Sequence, residues 1–244
     1  MDDVSLTGKP DTAHHNLPTG IVPVVNLRRL TAIGLDISKK EIYYSDSKNY
    51  TIFKRNVFDG TPQMVINEGI QNVEGLAIDW TSGTIYWTDQ GLLQIVAARM
   101  DNPKIRKVIV EGDMFNPRAI VVHPEKGYLF WTDWSENYYP ENGISGAKIE
   151  RSALDGSGRW ALVTKDIHWP NGLALDTAQG WIYWCDAYEK RIERMLFDGK
   201  ERQLIIQAHH PGYGIEPPLR NRHLQEHLVL ERTSNVRHQE SFSF

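Results

Sequence analysis

A four-residue motif occurs four times in this chain, and each copy reads aromatic, aromatic, small, aspartate. The copies end at Asp46, Asp89, Asp133 and Asp186, so consecutive aspartates lie 43, 44 and 53 residues apart. A fixed period of roughly 20 to 50 residues is the signature of a repeat architecture, in which each repeat is one supersecondary unit. We therefore predict that the chain stacks four copies of one unit. The aromatic positions of the motif are Tyr43, Tyr44, Tyr86, Trp87, Phe130, Trp131, Tyr183 and Trp184.

Each repeat is predicted to form one antiparallel sheet of four short strands. Aspartate-containing turn pairs follow the motif in every copy, and such pairs suit tight hairpins that need positive φ. The segment Thr84–Thr88 is apolar or aromatic at successive positions, which implies that both faces of its sheet are covered. Sheets of this size, each covered by further copies, describe the blades of a β-propeller. The turn pairs are Asp59-Gly60, Asp101-Asn102, Asp155-Gly156 and Asp198-Gly199.

The repeats divide the chain into a central propeller region and two flanking segments. The last 30 residues contain no copy of the motif and no Asp-Gly turn, so they are predicted to be disordered. The start of the chain is similar to the end of a preceding blade. We predict a blade remnant and linker at 1–29, blades near 30–72, 73–116, 117–169 and 170–210, and a non-propeller tail at 211–244.

The longer third spacing results from an insertion of about ten residues between Trp134 and Lys148. This segment is aromatic, acidic and rich in residues that interrupt strands. Such segments favour surface loops that carry function. We expect it to protrude from one end of the third sheet.

Charge and cysteine content exclude several classes of function. The net charge of −4 gives no general attraction to phosphate backbones, so nucleic acid is not expected as a partner. The single cysteine, Cys185, cannot form an internal disulfide and is interpreted as a small buried apolar residue. The chain shows no signal peptide and no apolar run of the roughly 18 residues that a membrane span needs.

The extended motifs resemble the YWTD propellers of the low-density lipoprotein receptor and its related proteins. The resemblance covers about residues 30–206 and implies an all-β fold of the six-bladed YWTD β-propeller type. About four blades would be present, so the propeller is expected to be incomplete. The family's usual cysteine-rich EGF-like module cannot follow, because the chain has one cysteine. The matching segments are Ile85–Asp89, Leu129–Trp134, Lys148–Arg151, Leu154–Gly156 and Trp169–Asp176.

The resemblance also implies a function. Propellers of this family are extracellular binding modules of membrane-anchored receptors, and they bind secreted protein ligands or neighbouring receptor modules without catalysis or a cofactor. Endocytic and Wnt-pathway receptors are among them. Two alternatives stay open, a calcium-dependent enzyme similar to the lactonases and a matrix protein similar to nidogen.

The motif residues themselves are assigned to structure. Four equivalent carboxylates, one per blade, lie too far apart to form one site, and each is expected to accept hydrogen bonds that fix strand ends. The large aromatic side chains are expected to fill the space between sheets. The structural assignments are Tyr43, Asp46, Tyr86, Trp87, Asp89, Phe130, Trp131, Asp133, Tyr183, Trp184 and Asp186.

The enzyme alternative depends on one segment, Pro170-Asn171-Gly172, which is similar to a calcium-ligand segment of lactonase propellers. Calcium needs several oxygen ligands that converge on one point. A single asparagine is weak support, and no other repeat carries a matching ligand. The chain also lacks the Gly-x-Ser-x-Gly, His-Glu-x-x-His and phosphate-loop motifs. We therefore expect no metal site and no catalytic residues.

A ligand-binding patch is predicted where the first strands begin and the second strands end. Exposed aromatic residues with acidic neighbours suit a basic or amide-rich protein ligand. The alternative for the two tryptophans is packing against loops of the next blade. Separately, Asn49-Tyr50-Thr51 is a sequon that predicts N-glycosylation at Asn49. The predicted patch contains Arg118, Trp134, Glu136, Tyr138, Tyr139, Glu141, Trp169 and Asn171.

Overall fold

A computed structural model describes residues 28–58, 61–135, 138–139 and 144–208, with the backbone alone at 138–139 and 144–145. The predicted tail and all but the last two residues of the predicted remnant lie outside the described residues. Every regular element in these segments is a β-strand. None of them contains a helix long and apolar enough to cross a membrane.

The strands form four antiparallel sheets in chain order. Sheet 1 contains β1 (Leu30–Asp36), β2 (Glu41–Asp46), β3 (Thr51–Asn56) and β4 (Gln63–Ile66). Sheet 2 contains β5 (Val73–Asp79), β6 (Thr84–Asp89), β7 (Gln94–Arg99) and β8 (Arg106–Glu111). Sheet 3 contains β9 (Pro117–His123), β10 (Tyr128–Asp133), β11 (Tyr138–Tyr139), β12 (Ile144–Ala153) and β13 (Trp160–Lys165). Sheet 4 contains β14 (Pro170–Asp176), β15 (Trp181–Asp186), β16 (Arg191–Leu196) and β17 (Gln203–Gln207).

Sheets 1, 2 and 4 are simple four-stranded meanders. Sheet 3 differs because the insertion adds the two-residue strand β11, which pairs with the beginning of β12. The segment that was expected to be a protruding loop therefore contains a short extension of the sheet. β12 also pairs with β10 and β13, so it connects the extension to the rest of sheet 3.

Consecutive sheets pack face to face, and their first strands β1, β5, β9 and β14 lie side by side in that order. Three apolar clusters fill the spaces between sheets 1 and 2, 2 and 3, and 3 and 4. The motif tryptophans Trp87, Trp131 and Trp184 are fully buried in these clusters. This arrangement of four blades confirms the predicted all-β propeller fold.

The small residue of the motif connects one sheet to the next. The Thr88 hydroxyl donates a hydrogen bond to the Arg118 carbonyl at 2.6 Å, and the Ser45 hydroxyl donates to the Val73 carbonyl at 3.2 Å. A Cβ atom at Gly75 would lie 2.2 Å from the Arg118 carbonyl oxygen. The backbones of sheets 2 and 3 therefore approach closely at the point where the hydroxyl bond forms.

Arginine side chains provide a second connection between sheets. Arg159 forms a bidentate pair with the buried Glu150 and donates to the carbonyls of Gly112 and Asp113, in the linker that precedes sheet 3. Sheet 4 repeats this arrangement: Arg202 pairs with Glu193 and donates to the two carbonyls of Lys165 and Asp166. Both guanidinium groups also lie over motif tryptophans. Each arginine thus fixes a linker against its own sheet.

Candidate functional site

The motif aspartates organise one end of every sheet. Each carboxylate accepts hydrogen bonds from the backbone amides of the two residues that lie just before the first strand of its own sheet. The donors are Arg28 and Arg29 to Asp46, Gln71 and Asn72 to Asp89, Phe115 and Asn116 to Asp133, and His168 and Trp169 to Asp186. We call this end the aspartate-anchored end. Hydrogen bonds to the aspartates fix the backbone of the linkers at this end, so the Cα atoms that carry the linker side chains have defined positions.

The electrostatic state of these aspartates differs between sheets. Burial alone would raise the pKa of Asp46, but four backbone amides outweigh burial and hold this pKa below its ordinary value. Burial dominates at Asp133 and raises the pKa of its carboxyl to about 6, although two backbone amides and Lys148 act in the opposite direction. Both carboxylates are fully buried, so neither is exposed to solvent.

Asp186 fixes a second segment in addition to the linker before its sheet. Its carboxylate also accepts the amides of Tyr188 and Glu189, at 3.1 Å each, in the turn that follows the motif. One buried carboxylate therefore fixes the backbone of both the linker residues His168 and Trp169 and the turn residues Tyr188 and Glu189. Hydrogen bonds from an aspartate side chain to nearby backbone amides stabilise a turn in one conformation.

The side chains on these two segments meet in a ring cluster that we call the aromatic cluster, defined by Trp134, His168, Trp169 and Tyr188. Trp169 makes edge contacts with Trp134 at 6.1 Å and with Tyr188 at 5.3 Å between ring centroids. The His168 ring lies 4.8 Å from that of Tyr188. Trp169 is 39% exposed and Tyr188 is 54% exposed, so the cluster presents aromatic surface to solvent. Edge-to-face contacts stabilise the rings in one arrangement.

An acidic partner completes the cluster. Nδ1 of His168 lies 2.6 Å from a carboxylate oxygen of Glu189. This contact joins the linker to the turn through side chains, in addition to the backbone bonds of Asp186. The His168 ring is thereby oriented against Tyr188.

A relay of side-chain amides extends from sheet 2 to the cluster. Asn72 donates to Gln90 at 2.6 Å, Gln90 donates to Asn116 at 2.7 Å, and Asn116 donates to the Trp134 carbonyl at 3.0 Å. The residues all lie at the aspartate-anchored end, next to the motif aspartates. The end of sheets 2 to 4 is therefore a connected and preorganised surface.

The structure brings together two of the predicted patch residues, Trp134 and Trp169. The two rings contact each other across sheets 3 and 4, as the alternative of packing against the next blade expects. Trp134 is half-buried, whereas Trp169 remains exposed. Arg118 and Asn171 are half-buried in the first strands of their sheets, and no described ring or hydrogen-bond contact joins their side chains to the two tryptophans.

The remaining predicted residues lie on the insertion. Glu136 and Glu141 are outside the described residues, and Tyr138 and Tyr139 are described only as the backbone of β11. The predicted glycosylation residue Asn49 is exposed in the turn after Asp46, to which its side-chain amide donates at 2.7 Å. Each of these assignments stays a prediction.

Sequence reasoning missed His168, Tyr188 and Glu189. The signal that could have found them is positional, because Tyr188 follows a motif aspartate by two residues and His168 precedes the first strand of the same sheet. Within the described residues, no group of three or more histidine, cysteine, aspartate or glutamate side chains is arranged to hold a metal ion.

Comparison with known proteins identifies the repeats. The low-density lipoprotein receptor repeat class B pattern matches residues 83–124 and 127–177. The human low-density lipoprotein receptor-related protein 5-like protein is 37% identical over 166 residues, which cover 68% of this chain and 62% of that protein. The vitellogenin receptor Yl of Drosophila melanogaster is 32% identical over 194 residues, which cover 78% of this chain but 9% of the receptor. The chain thus spans less than two thirds of either relative.

Solved structures show the same fold. A chain in the crystal structure of a nidogen–laminin complex superposes with a TM-score of 0.66 at 31% identity, over 72% of this chain and 64% of that one. A gluconolactonase from Xanthomonas campestris superposes with a TM-score of 0.57 at 17% identity, over 72% of this chain and 61% of that one. At that identity the second similarity concerns the fold alone.

Proposed function

Because this chain belongs to the proteins that carry low-density lipoprotein receptor class B repeats, we propose that it acts by binding other proteins and is not a catalyst. The aromatic cluster at the aspartate-anchored end is the proposed centre of binding. The observation that carries this proposal is the exposure of Trp169 and Tyr188 on a backbone that Asp186 holds in place. Exposed, preorganised aromatic side chains are the residues that most often dominate binding energy.

The finer part of the proposal concerns the partner and the location. We place the chain in the extracellular part of a receptor, since the relatives include receptors by name. The partner is then a secreted protein or a neighbouring receptor module. The insertion contributes Glu136 and Glu141 close in sequence to Trp134, so a basic or amide-rich partner surface suits this end.

Substitution of the exposed rings tests the proposal. The full chain would be immobilised and exposed to conditioned medium, and the recovered secreted proteins would be identified and purified. Replacing Trp169 or Tyr188 with Ala is expected to weaken binding of the recovered protein by roughly 30-fold, as expected for a hot-spot residue. W169A keeps the backbone amide that bonds Asp186, so the fold should be retained.

Trp80 offers a matched control, because it is 47% exposed but lies at the opposite end of sheet 2, just after β5. W80A is expected to bind like the unmodified chain. If W169A and Y188A also bind like the unmodified chain, the aromatic cluster is not the binding centre.

A matrix protein is the second candidate, favoured by the structural similarity to a chain of the nidogen–laminin complex. Direct titration of laminin onto the full chain separates the two candidates. Tight binding that W169A weakens would favour the matrix role. Absence of laminin binding, together with recovery of another secreted protein, would favour the receptor role.

We also propose that Asn49 carries an N-linked glycan when the chain passes through the secretory pathway. The side chain is exposed in a turn, and its amide nitrogen keeps one hydrogen for the bond to Asp46 after glycosylation. Glycosidase treatment of secreted protein should shift its mobility, and N49Q should abolish that shift. T51S retains the sequon and should keep it, so loss of the shift in both variants, or its persistence in N49Q, would contradict the site.

A further inference from the structure

Two segments of the chain carry a pair of tryptophans with two residues between them. They are Trp131-Thr132-Asp133-Trp134 in sheet 3 and Trp181-Ile182-Tyr183-Trp184 in sheet 4. The pattern Trp-x-x-Trp is the acceptor pattern for C-mannosylation, a modification in the secretory pathway that links mannose to a carbon atom of the first indole. A short motif is a hypothesis that its structural context has to support. The surroundings of the two first tryptophans, Trp131 and Trp181, therefore decide between them.

Trp131 lies in the interior and has no room for a sugar. It is 0% exposed and belongs to the apolar cluster between sheets 2 and 3. Its indole nitrogen is buried and has no hydrogen-bond partner among the described residues. The carbon that would accept mannose, Cδ1, is bonded to this nitrogen, so the same edge of the ring is enclosed. A mannose there would have to displace close-packed side chains, which is destabilising.

Trp181 occupies a different place, as the first residue of the second strand. Side chains along β15 alternate between the two faces of sheet 4: Ile182 and Trp184 are buried against sheet 3, whereas Trp181 and Tyr183 are half-buried. We call the face that carries Trp181 and Tyr183 the outer face of sheet 4. The repeat does not require a large buried residue at this place, because the other sheets carry different half-buried residues there. These are Glu41, Thr84 and Tyr128.

The Trp181 ring is held through one of its faces. The Arg194 guanidinium lies over the ring, 4.1 Å from its centroid. Arg194 is itself fixed by donating to the Gln203 side chain at 3.0 and 3.1 Å and to the Tyr183 hydroxyl at 3.2 Å. A cation–π contact of this kind covers the flat side of an indole and not the edge that carries Cδ1. Ile192 lies on the same outer face and is 37% exposed, so the described residues leave open space on this side of the sheet.

We infer that the indole of Trp181 is the acceptor of a C-linked mannose. The inference rests on the proposed extracellular location, because the modification takes place in the endoplasmic reticulum. The donor is mannose linked to a polyisoprenyl phosphate. The π electrons of the indole form a bond from Cδ1 to the anomeric carbon, while the bond from that carbon to the phosphate oxygen breaks. The polyisoprenyl phosphate leaves with that electron pair, and Cδ1 loses its proton to a base of the transferase, which restores the aromatic ring.

Peptide mapping of secreted protein tests the inference. The full chain would be expressed behind a cleavable secretion signal in animal cells that contain the C-mannosyltransferase, and in matched cells that lack it. Trypsin cleaves after lysine and arginine, so it releases residues 166–190 and 127–148 as two peptides with one Trp-x-x-Trp pattern each. Tandem mass spectrometry assigns any added hexose to a residue. The 127–148 peptide is thus a matched control from the same molecule.

We expect one added hexose on Trp181 and none on Trp131, and only in cells that contain the transferase. W184Y keeps the acceptor but breaks the pattern, and it gives sheet 4 the residue that sheet 1 has there, Tyr44. W181Y removes the acceptor and gives sheet 4 the residue of sheet 3, Tyr128. Both variants should be secreted without the hexose, and far-UV circular dichroism checks that they are folded.

Secreted protein without a hexose on Trp181 would overturn the inference. A hexose that also forms without the transferase, that persists in W184Y, or that is equally abundant on Trp131 would overturn it as well. The binding experiment with W169A measures the proposed function separately. An unmodified Trp181 in a chain whose binding depends on Trp169 would therefore contradict the modification alone.

Discussion

Sheets 2 and 3 are built from the same repeat but differ in the chemistry of the face that packs against the preceding sheet, which we call the leading face. In sheet 2 the third strand places the buried Val96 against the cluster shared with sheet 1. In sheet 3 the corresponding residue is Glu150, a buried carboxylate that pairs with Arg159 and lies 3.8 Å from Lys148. The backbone register around the two residues is equivalent, since Val96 faces Trp87 and Glu150 faces Trp131 on the second strands.

The difference shows what the repeat fixes and what it leaves open. Hydrogen bonds between strands and the anchoring aspartate set the geometry of each sheet. The residue on the third strand can then be apolar, or it can be charged if a partner satisfies it. Val96 and the Glu150–Arg159 pair occupy equivalent places in the two sheets. The free energy of unfolding should nevertheless fall much more when one partner of the charged pair is removed.

The largest predicted effect is the loss of Arg159. R159M removes both bonds to Glu150 and the bonds to two linker carbonyls, leaving a buried carboxylate without its main partner. We expect the free energy of unfolding to fall by about 4 kcal/mol, because an uncompensated buried charge is costly. Urea denaturation followed by tryptophan fluorescence would measure it.

Arg106 of sheet 2 is the matched control. It donates to the Glu68 carbonyl at 2.6 Å but has Val96 where sheet 3 has a carboxylate. R106M should therefore cost about 1 kcal/mol, the value of an ordinary hydrogen bond. The double variant E150V/R159M gives sheet 3 the chemistry of sheet 2 and should recover most of the stability lost in R159M. Equal effects of R159M and R106M would show that the ion pair contributes nothing special.

The next effect concerns the small residue on the first strand, which is Gly75 in sheet 2 and Ala119 in sheet 3. A methyl group at Gly75 would lie 2.2 Å from the backbone carbonyl oxygen of Arg118, which cannot move without disturbing β9. We expect G75A to destabilise the protein by about 3 kcal/mol. The reverse change, A119G, should cost about 1 kcal/mol through chain entropy. Thermal unfolding of both variants measures the difference, and a stable G75A would mean that sheets 2 and 3 can separate slightly.

The fold was predictable because its determinants recur at fixed spacing. Strand order and the burial of Trp87, Trp131 and Trp184 follow from a motif that each sheet repeats. The aromatic cluster was only partly predictable. Trp134 and Trp169 lie beside motif residues, but the contact between their rings depends on how sheets 3 and 4 are placed against each other. The contact of the buried His123 with Phe197 likewise joins two sheets, and no local pattern encodes it.

The smallest of the three main effects, after those of R159M and G75A, is a pH dependence that arises in sheet 3. Burial raises the pKa of Asp133 to about 6 in the folded protein, against an ordinary value of 3.8, and the Glu150 charge acts in the same direction. The folded state therefore binds more protons than the unfolded state between these values, so stability falls as pH rises through this range. The contribution of Asp133 should decrease by about 2 kcal/mol between pH 4.5 and pH 7.

D133N should remove this decrease, which urea midpoints measured at several pH values would reveal. D46N in sheet 1 is the contrasting variant. Its carboxylate has a lowered pKa, so it stabilises the fold above the unfolded pKa and loses that contribution only as pH falls through the lower folded value. D46N should therefore be less stable across pH 4.5 to 7 yet keep the slope of the unmodified chain. If D133N keeps the pH slope of the unmodified chain as well, the pH dependence does not originate at Asp133. Asp133 would then be ionised over this pH range as Asp46 is, despite the buried Glu150 charge beside it.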